Sequence, residues 1–372
     1  MSASESLEIS SYPCAFPPGP EQNGLKPRTR IEQVLTLKGD RQCAVPSGES
    51  DNLQRLRHRA LAAIDGRIVH SEKGAALSTR PSAKPALWTD HYWWSGDGIR
   101  LHCRIYGGDG DSDAVPILCL PGLTRNARDF DLIAPDLAQN GPVAAVNFRG
   151  RGDSGYAKDA MSYVPLTYVQ DVALLLASLK WDRFAVIGTS LGGLVAMLLA
   201  GTMAGRFAGA VLNDVGPELE AKGLDRIRAY VGSAPSQPTW LHAARQTAEI
   251  NAGVFPGYDI HDWLRMVHRT HRLTPEGRIV ADYDKQIAAP FRLPGGEAGI
   301  DMWPAFDALA AHPLLIVRGA QSDILAAATA EKMLARAKDG ALCTVPEVGH
   351  APTLDEPVAR AAIASWRAKL TR

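Results

Sequence analysis

Short, almost wholly apolar runs recur along the chain from about residue 88 onward. Runs of this kind are typical of strands that are buried on both faces of a parallel sheet. They occupy residues 115–120, 143–148, 184–188, 208–213 and 313–317. Residues 99–105 instead alternate apolar and polar positions, which predicts a half-buried strand near an edge of the same sheet.

Helical patterns separate these runs, at residues 127–139, 167–179, 191–203, 327–337 and 357–369. Strands that alternate with helices imply a parallel sheet covered by helices on both faces. The predicted fold class is therefore α/β, with a mostly parallel sheet at the centre of a core formed by residues 86–216 and 305–372.

Two stretches depart from this alternation. Between residues 217 and 304, amphipathic patterns near 224–231 and 259–272 replace the apolar runs, which predicts an inserted, mainly helical cap. Residues 1–85 are rich in Ser, Pro, Gly and charge and show little periodicity. We expect them to form a poorly ordered N-terminal extension.

Composition narrows the function classes. The 372 residues carry 40 Lys and Arg against 40 Asp and Glu, so the net charge is zero, which argues against nucleic-acid binding. The five cysteines contain no CxxC pair, so neither a disulfide framework nor a thiolate metal site is expected. The N-terminus does not resemble a secretory signal, and no apolar stretch has the length of a membrane span, so a cytoplasmic location is expected.

The first candidate for chemistry is Ser190. It lies in the motif GTSLG at residues 188–192, directly after an apolar run and before a helical pattern. A G-x-S-x-G motif between a strand and a helix is typical of a sharp turn that exposes the serine oxygen. Gly188 and Gly192 permit the close backbone approach that this turn requires. We therefore predict that Ser190 is a nucleophile.

A serine nucleophile needs a base, and the base needs a carboxylate that orients it. His350 is the candidate base because it lies in a loop between the last apolar run and the last helical pattern. Asp323 is the preferred carboxylate: it follows the run 313–317, and the chain order Ser, Asp, His is that of G-x-S-x-G hydrolases. Asp214, just after the run 208–213, is the alternative.

Cleavage of an acyl group also needs backbone N–H donors for the oxyanion that develops. The N–H of Leu191, next to the nucleophile, is one candidate. The loop that follows the run 115–120 supplies the second, for which we choose the N–H of Leu123.

Residues 150–155 fit the pattern G-x-G-x-x-G, which in isolation suggests a dinucleotide site. No helical pattern begins at the third glycine, and no acidic residue ends a following strand, so the glycines are expected to shape a tight loop. Neither a cofactor nor a metal ion is predicted; the His-rich stretch 261–271 does not contain H-E-x-x-H.

Together, these motifs resemble the α/β-hydrolase superfamily over residues 88–372. The resemblance rests on the Pro121-Gly122 loop, the sequence NFRGRGDS at 147–154, the GTSLGG turn, Asp323 and Gly349-His350. It implies a largely parallel sheet of eight strands and a Ser190–Asp323–His350 triad.

The predicted function is that of a cofactor-free serine hydrolase that cleaves carboxylic esters or lactones of small molecules through an acyl-enzyme. One alternative is a C–C bond hydrolase or enol-lactonase, which would need groups such as Arg125, Asn126 or Arg149 for a substrate carboxylate. The other is a binding protein of the same fold without turnover. Five residues are predicted to contact the substrate: Arg125, Asn126, Trp240, Trp263 and Trp303.

Overall fold

The computed structural model describes residues 87–108, 114–290 and 301–370. The extension predicted for residues 1–85 lies outside these ranges. No helix in the described part of the chain is long and apolar enough to cross a membrane.

An eight-stranded sheet forms the centre of the described chain and confirms the predicted fold class. Its strands are β1 (Trp88–Trp94), β2 (Arg100–Tyr106), β3 (Ile117–Leu120), β4 (Val143–Asn147), β5 (Phe184–Thr189), β6 (Phe207–Asn213), β9 (Pro313–Gly319) and β10 (Asp339–Val345). The order across the sheet is β1-β2-β4-β3-β5-β6-β9-β10. Pairing is antiparallel from β1 to β2 and from β2 to β4, and parallel at every other step.

Two apolar layers cover the faces of this sheet. Because successive strand residues point to opposite faces, Leu118 and Leu120 of β3 join one layer while Ile117 and Cys119 join the other. The connecting helices are α1 (Ala134–Leu137), α2 (Pro165–Ser178), α3 (Leu191–Met203), α7 (Trp303–Ala310), α8 (Ala327–Arg336) and α9 (Pro357–Arg367). Residues of α2, α3, α7 and α8 pack in the first layer, and those of α1 and α9 in the second.

The helix predicted over residues 127–139 is wrong in extent. The structure has a 3₁₀ turn at Ala127–Phe130, the four-residue α1 and a second 3₁₀ turn at Ala138–Asn140. Pro135 explains the interruption, because proline has no N–H to donate and clashes with the carbonyl one turn earlier.

Between β6 and β9 the chain leaves the sheet. This segment contains α4 (Ala221–Tyr230), α5 (Trp240–Asn251), α6 (Ile260–Thr270) and a hairpin of β7 (His271–Leu273) and β8 (Ile279–Ala281). The sequence patterns indicated α4 and α6 but missed α5 and the hairpin. Residues of α5 and α6, among them Ala243, Ala244, Met266 and Val267, form a small apolar cluster of their own.

The junction of β5 with α3 is closely packed against β3. A Cβ atom added at Gly192 would lie 2.1 Å from the carbonyl oxygen of Leu120 in β3, far inside van der Waals contact. A Cβ atom at Gly188 would lie 2.6 Å from the carbonyl oxygen of Gly192. The two glycines therefore allow α3 to begin directly against the strands.

Gly192→Ala is expected to destabilise the fold by about 1–3 kcal/mol, because either β3 or α3 must shift to admit the methyl group. Gly201→Ala in the same helix is the matched control: its new Cβ atom would meet only Ala305, at an ordinary 3.8 Å. Alanine favours helix over glycine, so this second variant should be stabilised by up to about 1 kcal/mol. Chemical denaturation of the two variants checks the prediction, and equal effects would contradict it.

Candidate active site

Ser190 occupies the turn between β5 and α3 with φ 50° and ψ −115°. A positive φ is uncommon for a residue other than glycine and is held here by the surrounding structure. The Ser190 N–H donates to the carbonyl of Asn213 at 3.0 Å, and the Ser190 carbonyl accepts from the N–H groups of Gly193 and Leu194. The turn predicted from the GTSLG motif is present, with the backbone conformation of an exposed nucleophile.

His350, in the loop after β10, lies between Ser190 and a carboxylate. Its Nε2 is 2.9 Å from Ser190 Oγ. Its Nδ1 is 2.9 Å from Oδ2 of Asp214. The three side chains form one hydrogen-bonded chain, in which the carboxylate fixes the orientation of the imidazole and the imidazole reaches the hydroxyl.

Asp214 is completely buried, and three donors hold its carboxylate. Oδ1 accepts from the N–H of Gly319 at 2.8 Å. Oδ2 accepts from Ser322 Oγ at 2.7 Å in addition to His350. A buried carboxylate with this many donors has one defined position, so it can orient His350 without moving itself.

The choice of Asp323 as the orienting carboxylate is corrected by this geometry. Asp323 accepts from Nε and Nη2 of Arg226 at 2.6 and 2.8 Å, and these hydrogen bonds hold the pKa of its carboxyl below the usual value. Its loop nevertheless serves the site, because Gly319 and Ser322 hold Asp214. The sequence alternative, Asp214, is the residue that contacts His350.

Strand register explains why Asp214 is favoured. Thr189 of β5 pairs with Asn213 of β6, so the next residue of each strand, Ser190 and Asp214, emerges beside the other. Asp323 comes four residues after β9 has ended, where the chain has already turned toward Arg226 on α4.

The two predicted oxyanion donors also emerge side by side. Leu120 of β3 pairs with Gly188 of β5, and Leu123 and Leu191 each follow three residues later. Within the described part of the chain, neither the N–H of Leu123 nor that of Leu191 donates a hydrogen bond. Both donors are therefore available to a developing negative charge.

Arg151 is a positioning residue that the sequence analysis missed. Its guanidinium is buried and donates from Nε to the carbonyl of Leu123 at 2.9 Å. Its Nη1 also donates to the carbonyl of Arg149 and to the hydroxyl of Tyr168. The only sequence signal for this role was its place inside the glycine-rich segment 150–155.

The glycines of that segment form a tight loop, as expected. Gly150 and Gly152 have φ of 73° and 52°, which glycine adopts without strain. A Cβ atom at Gly152 would lie 2.7 Å from the Asn147 side chain. Arg149, an alternative for binding a substrate carboxylate, is buried and pairs with Asp171 and Asp97 instead.

A cavity opens above Ser190 and His350. The loop after β3 contributes Leu123 and Arg125 to its wall, and the segment between β6 and β9 contributes five residues. These five are Ile227, Tyr230, Asn251, Phe255 and Arg269. Of the predicted substrate-contacting residues, Arg125 alone lines this cavity.

The other four predictions for substrate contact do not agree with the structure. Asn126 is buried beneath the loop, where it accepts from the N–H of Arg128 at 3.0 Å. Trp263 is buried in the α5–α6 cluster, and Trp240 stacks on His268 beside it. Trp303 donates to Glu218 at 2.9 Å, outside the cavity. The aromatic side chains are used for packing, which sequence periodicity does not distinguish from a substrate wall.

The sequence model of the alpha/beta hydrolase family matches residues 117–363. A 3-hydroxybutyrate-oligomer hydrolase of Cupriavidus necator is 36% identical over 279 residues, which are 69% of this chain and 90% of that protein. An esterase of Mycobacterium tuberculosis is 28% identical over 66% of this chain and 79% of its own length. The crystal structure of an alpha/beta hydrolase from Novosphingobium aromaticivorans is 53% identical, with a TM-score of 0.73, over 76% of this chain and 99% of that one.

Asp214→Asn is expected to lower kcat for an activated ester by roughly 10²–10⁴-fold, because the amide favours the wrong imidazole tautomer. Asp323→Asn breaks the ion pair with Arg226 but leaves the His350–Asp214 hydrogen bond in place, so it should change kcat by less than about tenfold. Steady-state kinetics with p-nitrophenyl butyrate compares the two variants. A larger loss for Asp323→Asn than for Asp214→Asn would assign the orienting role to Asp323.

Proposed function

The chain belongs to the alpha/beta hydrolase family, and from this premise we propose that it hydrolyses carboxylic esters of small molecules, with Ser190, His350 and Asp214 as a catalytic triad. The observation that carries the proposal is the continuous hydrogen-bonded chain from Ser190 Oγ through His350 to Asp214, at the floor of a cavity.

In the first half of the reaction, Ser190 Oγ attacks the ester carbonyl carbon while His350 Nε2 takes the hydroxyl proton. Asp214 accepts from Nδ1–H and stabilises the imidazolium that results. The carbonyl oxygen becomes an oxyanion, for which the N–H groups of Leu123 and Leu191 are the proposed donors. His350 then gives its proton to the leaving oxygen as the C–O bond breaks, leaving an acyl-enzyme on Ser190.

In the second half, water takes the place of the departed alcohol. His350 removes a proton from the water as its oxygen attacks the acyl carbon, and later returns the proton to Ser190 Oγ as the carboxylic acid leaves. The Arg151 guanidinium supports both halves, because it holds the carbonyl of Leu123 and with it the loop that carries one oxyanion donor.

The proposed substrates are small esters or lactones with an apolar part. Ile227 and Phe255 offer apolar surface in the cavity, and Tyr230 and Asn251 offer polar groups. The names of the relatives point in the same direction, since an esterase and an oligomer hydrolase both cleave ester bonds.

Residues 217–304 are proposed to act as a cap on a core formed by residues 86–216 and 305–372. The cavity supports this proposal. Residues of α4, α5, α6 and the loop after α5 form one wall of the cavity, and the triad lies on the side of the sheet. A cytoplasmic location is proposed as well, supported by the free thiols of Cys103, Cys119 and Cys343.

Ser190→Ala should reduce the turnover of p-nitrophenyl butyrate by at least about 10³-fold and abolish labelling by a fluorophosphonate, because the proposed acyl-enzyme forms on the Ser190 hydroxyl. Ser365→Ala, at an exposed position on α9, is the control and should match the unmodified protein.

Two results would contradict the proposal. Labelling that persists in Ser190→Ala would place the nucleophile elsewhere. An unmodified protein that neither labels nor cleaves p-nitrophenyl esters would favour the binding protein without turnover, and cleavage of a vinylogous diketone acid in preference to any ester would favour the C–C bond hydrolase.

A further inference from the structure

We propose that the cavity above Ser190 holds a carboxylate-binding subsite at Arg269, so that the preferred substrates are esters that carry a second, free carboxylate. This inference rests on the proposed ester hydrolysis and specifies the substrate class. The carboxylate can belong to the acyl part or to the alcohol part of the ester, and the experiment below separates the two.

Arg269 lies in the last turn of α6 and lines the same cavity as Ser190 and His350. Its main chain is fixed from the core side. The Arg269 carbonyl accepts from Nδ2 of Asn126 at 3.1 Å and from Nε of Arg128 at 2.8 Å. Since Asn126 directly follows the loop of Leu123 and Arg125, the position of Arg269 is coupled to that of the oxyanion loop.

The Arg269 guanidinium has no hydrogen-bond or ion-pair partner among the described residues. Its Nε is buried and donates no hydrogen bond, and no carboxylate forms an ion pair with it. A buried N–H that donates to nothing costs free energy, and the cost is larger for a charged group. A ligand that accepts from this group removes that cost.

The neighbouring arginines differ from Arg269 because each already has a carboxylate. Arg125 donates from Nε and Nη2 to Asp129 at 2.6 and 2.9 Å. Arg128 pairs with Asp282 at 2.5 Å. Arg125 and Asp129 both line the cavity, so their charges offset each other and Arg269 leaves the wall with an excess positive charge.

Two neighbouring groups bear on the charge at this position. Glu356 forms no ion pair with Arg269; its Oε1 accepts from the N–H and hydroxyl of Thr353, and its Oε2 is buried without a hydrogen-bond partner. In the adjoining cavity, burial and then the charges of Arg125 and Arg128 lower the pKa of His271 to about 4, so this imidazole is neutral near pH 7 and accepts no second proton.

The geometry of the group favours a carboxylate. A guanidinium matches the two oxygens of a carboxylate through parallel N–H donors. Asn251 and Tyr230, which also line the cavity, are neutral, so the wall offers one excess charge to a monoanion. Apolar Ile227 and Phe255 suit the chain between the ester and the carboxylate.

The experiment compares isosteric pairs of esters that differ in one charge. In the acyl arm, the mono-p-nitrophenyl ester of adipic acid is compared with its carboxamide. In the alcohol arm, 4-acetoxybenzoate is compared with 4-acetoxybenzamide. We expect the unmodified protein to prefer the carboxylate in kcat/KM by about tenfold or more in at least one arm, the range of a charged hydrogen bond.

Arg269→Gln should lower kcat/KM for the preferred carboxylate substrate by about 10- to 100-fold and change that of the neutral partner by less than about threefold. Arg269→Lys, which keeps the charge, should retain part of the preference. Arg265→Gln is the matched control on the same helix: Arg265 is 65% exposed and pairs with Asp262, so both substrates should be unaffected.

The absence of a preference in both arms of the unmodified protein overturns the inference, and this result does not depend on how any variant folds. An equal loss for charged and neutral substrates in Arg269→Gln and Arg269→Lys also overturns it, because the residue would then be structural. Cleavage of the neutral carboxamides that disappears in Ser190→Ala tests the proposed function separately, so the two failures are distinguishable.

Discussion

Parallel pairing of β5 with β3 on one side and β6 on the other is the constraint on which the site depends. Leu120 pairs with Gly188 and Thr189 with Asn213, so three loops leave the same edge of the sheet at matched heights. These loops carry Leu123, Ser190 and Asp214. The glycines at 188 and 192 then let α3 start against β3, and without that close approach the serine would lie farther from the oxyanion loop.

Other loops at this edge of the sheet hold the site residues in position and contribute no reacting group themselves. The loop after β9 donates to Asp214 from Gly319 and Ser322, and the loop of residues 150–155 reaches the Leu123 carbonyl through Arg151. The segment between β6 and β9 completes the cavity from above and is tied down where Arg128 and Asn126 contact the end of α6. The proposed catalytic groups on loops are thus held by buried hydrogen bonds to a rigid sheet.

Arginines have two roles near the cavity. Arg128 and Arg151 donate to acceptors of the protein and stabilise the loops, although Nη2 of Arg151 has no hydrogen-bond partner. Arg269 lines the cavity, and its buried Nε donates to no acceptor among the described residues. Because the main chain of Arg269 is already fixed, ligand binding loses less conformational entropy at this residue. A prearranged group contributes to affinity in this way.

The sequence by itself determined the fold class and singled out Ser190 and His350, which the structure places 2.9 Å apart, because these features follow from local patterns. Apolar runs report burial on both faces of a sheet, and the GTSLG motif reports a strained strand-to-helix turn. It did not determine which carboxylate orients His350, since that contact joins residues 136 apart and depends on strand register. The tertiary structure likewise decided that Asp323 pairs with Arg226, 97 residues away. It also left the buried Nε of Arg269 without a hydrogen-bond acceptor. Periodicity encodes which side chains are buried, but the choice of partner for a buried charge is made only when distant segments meet.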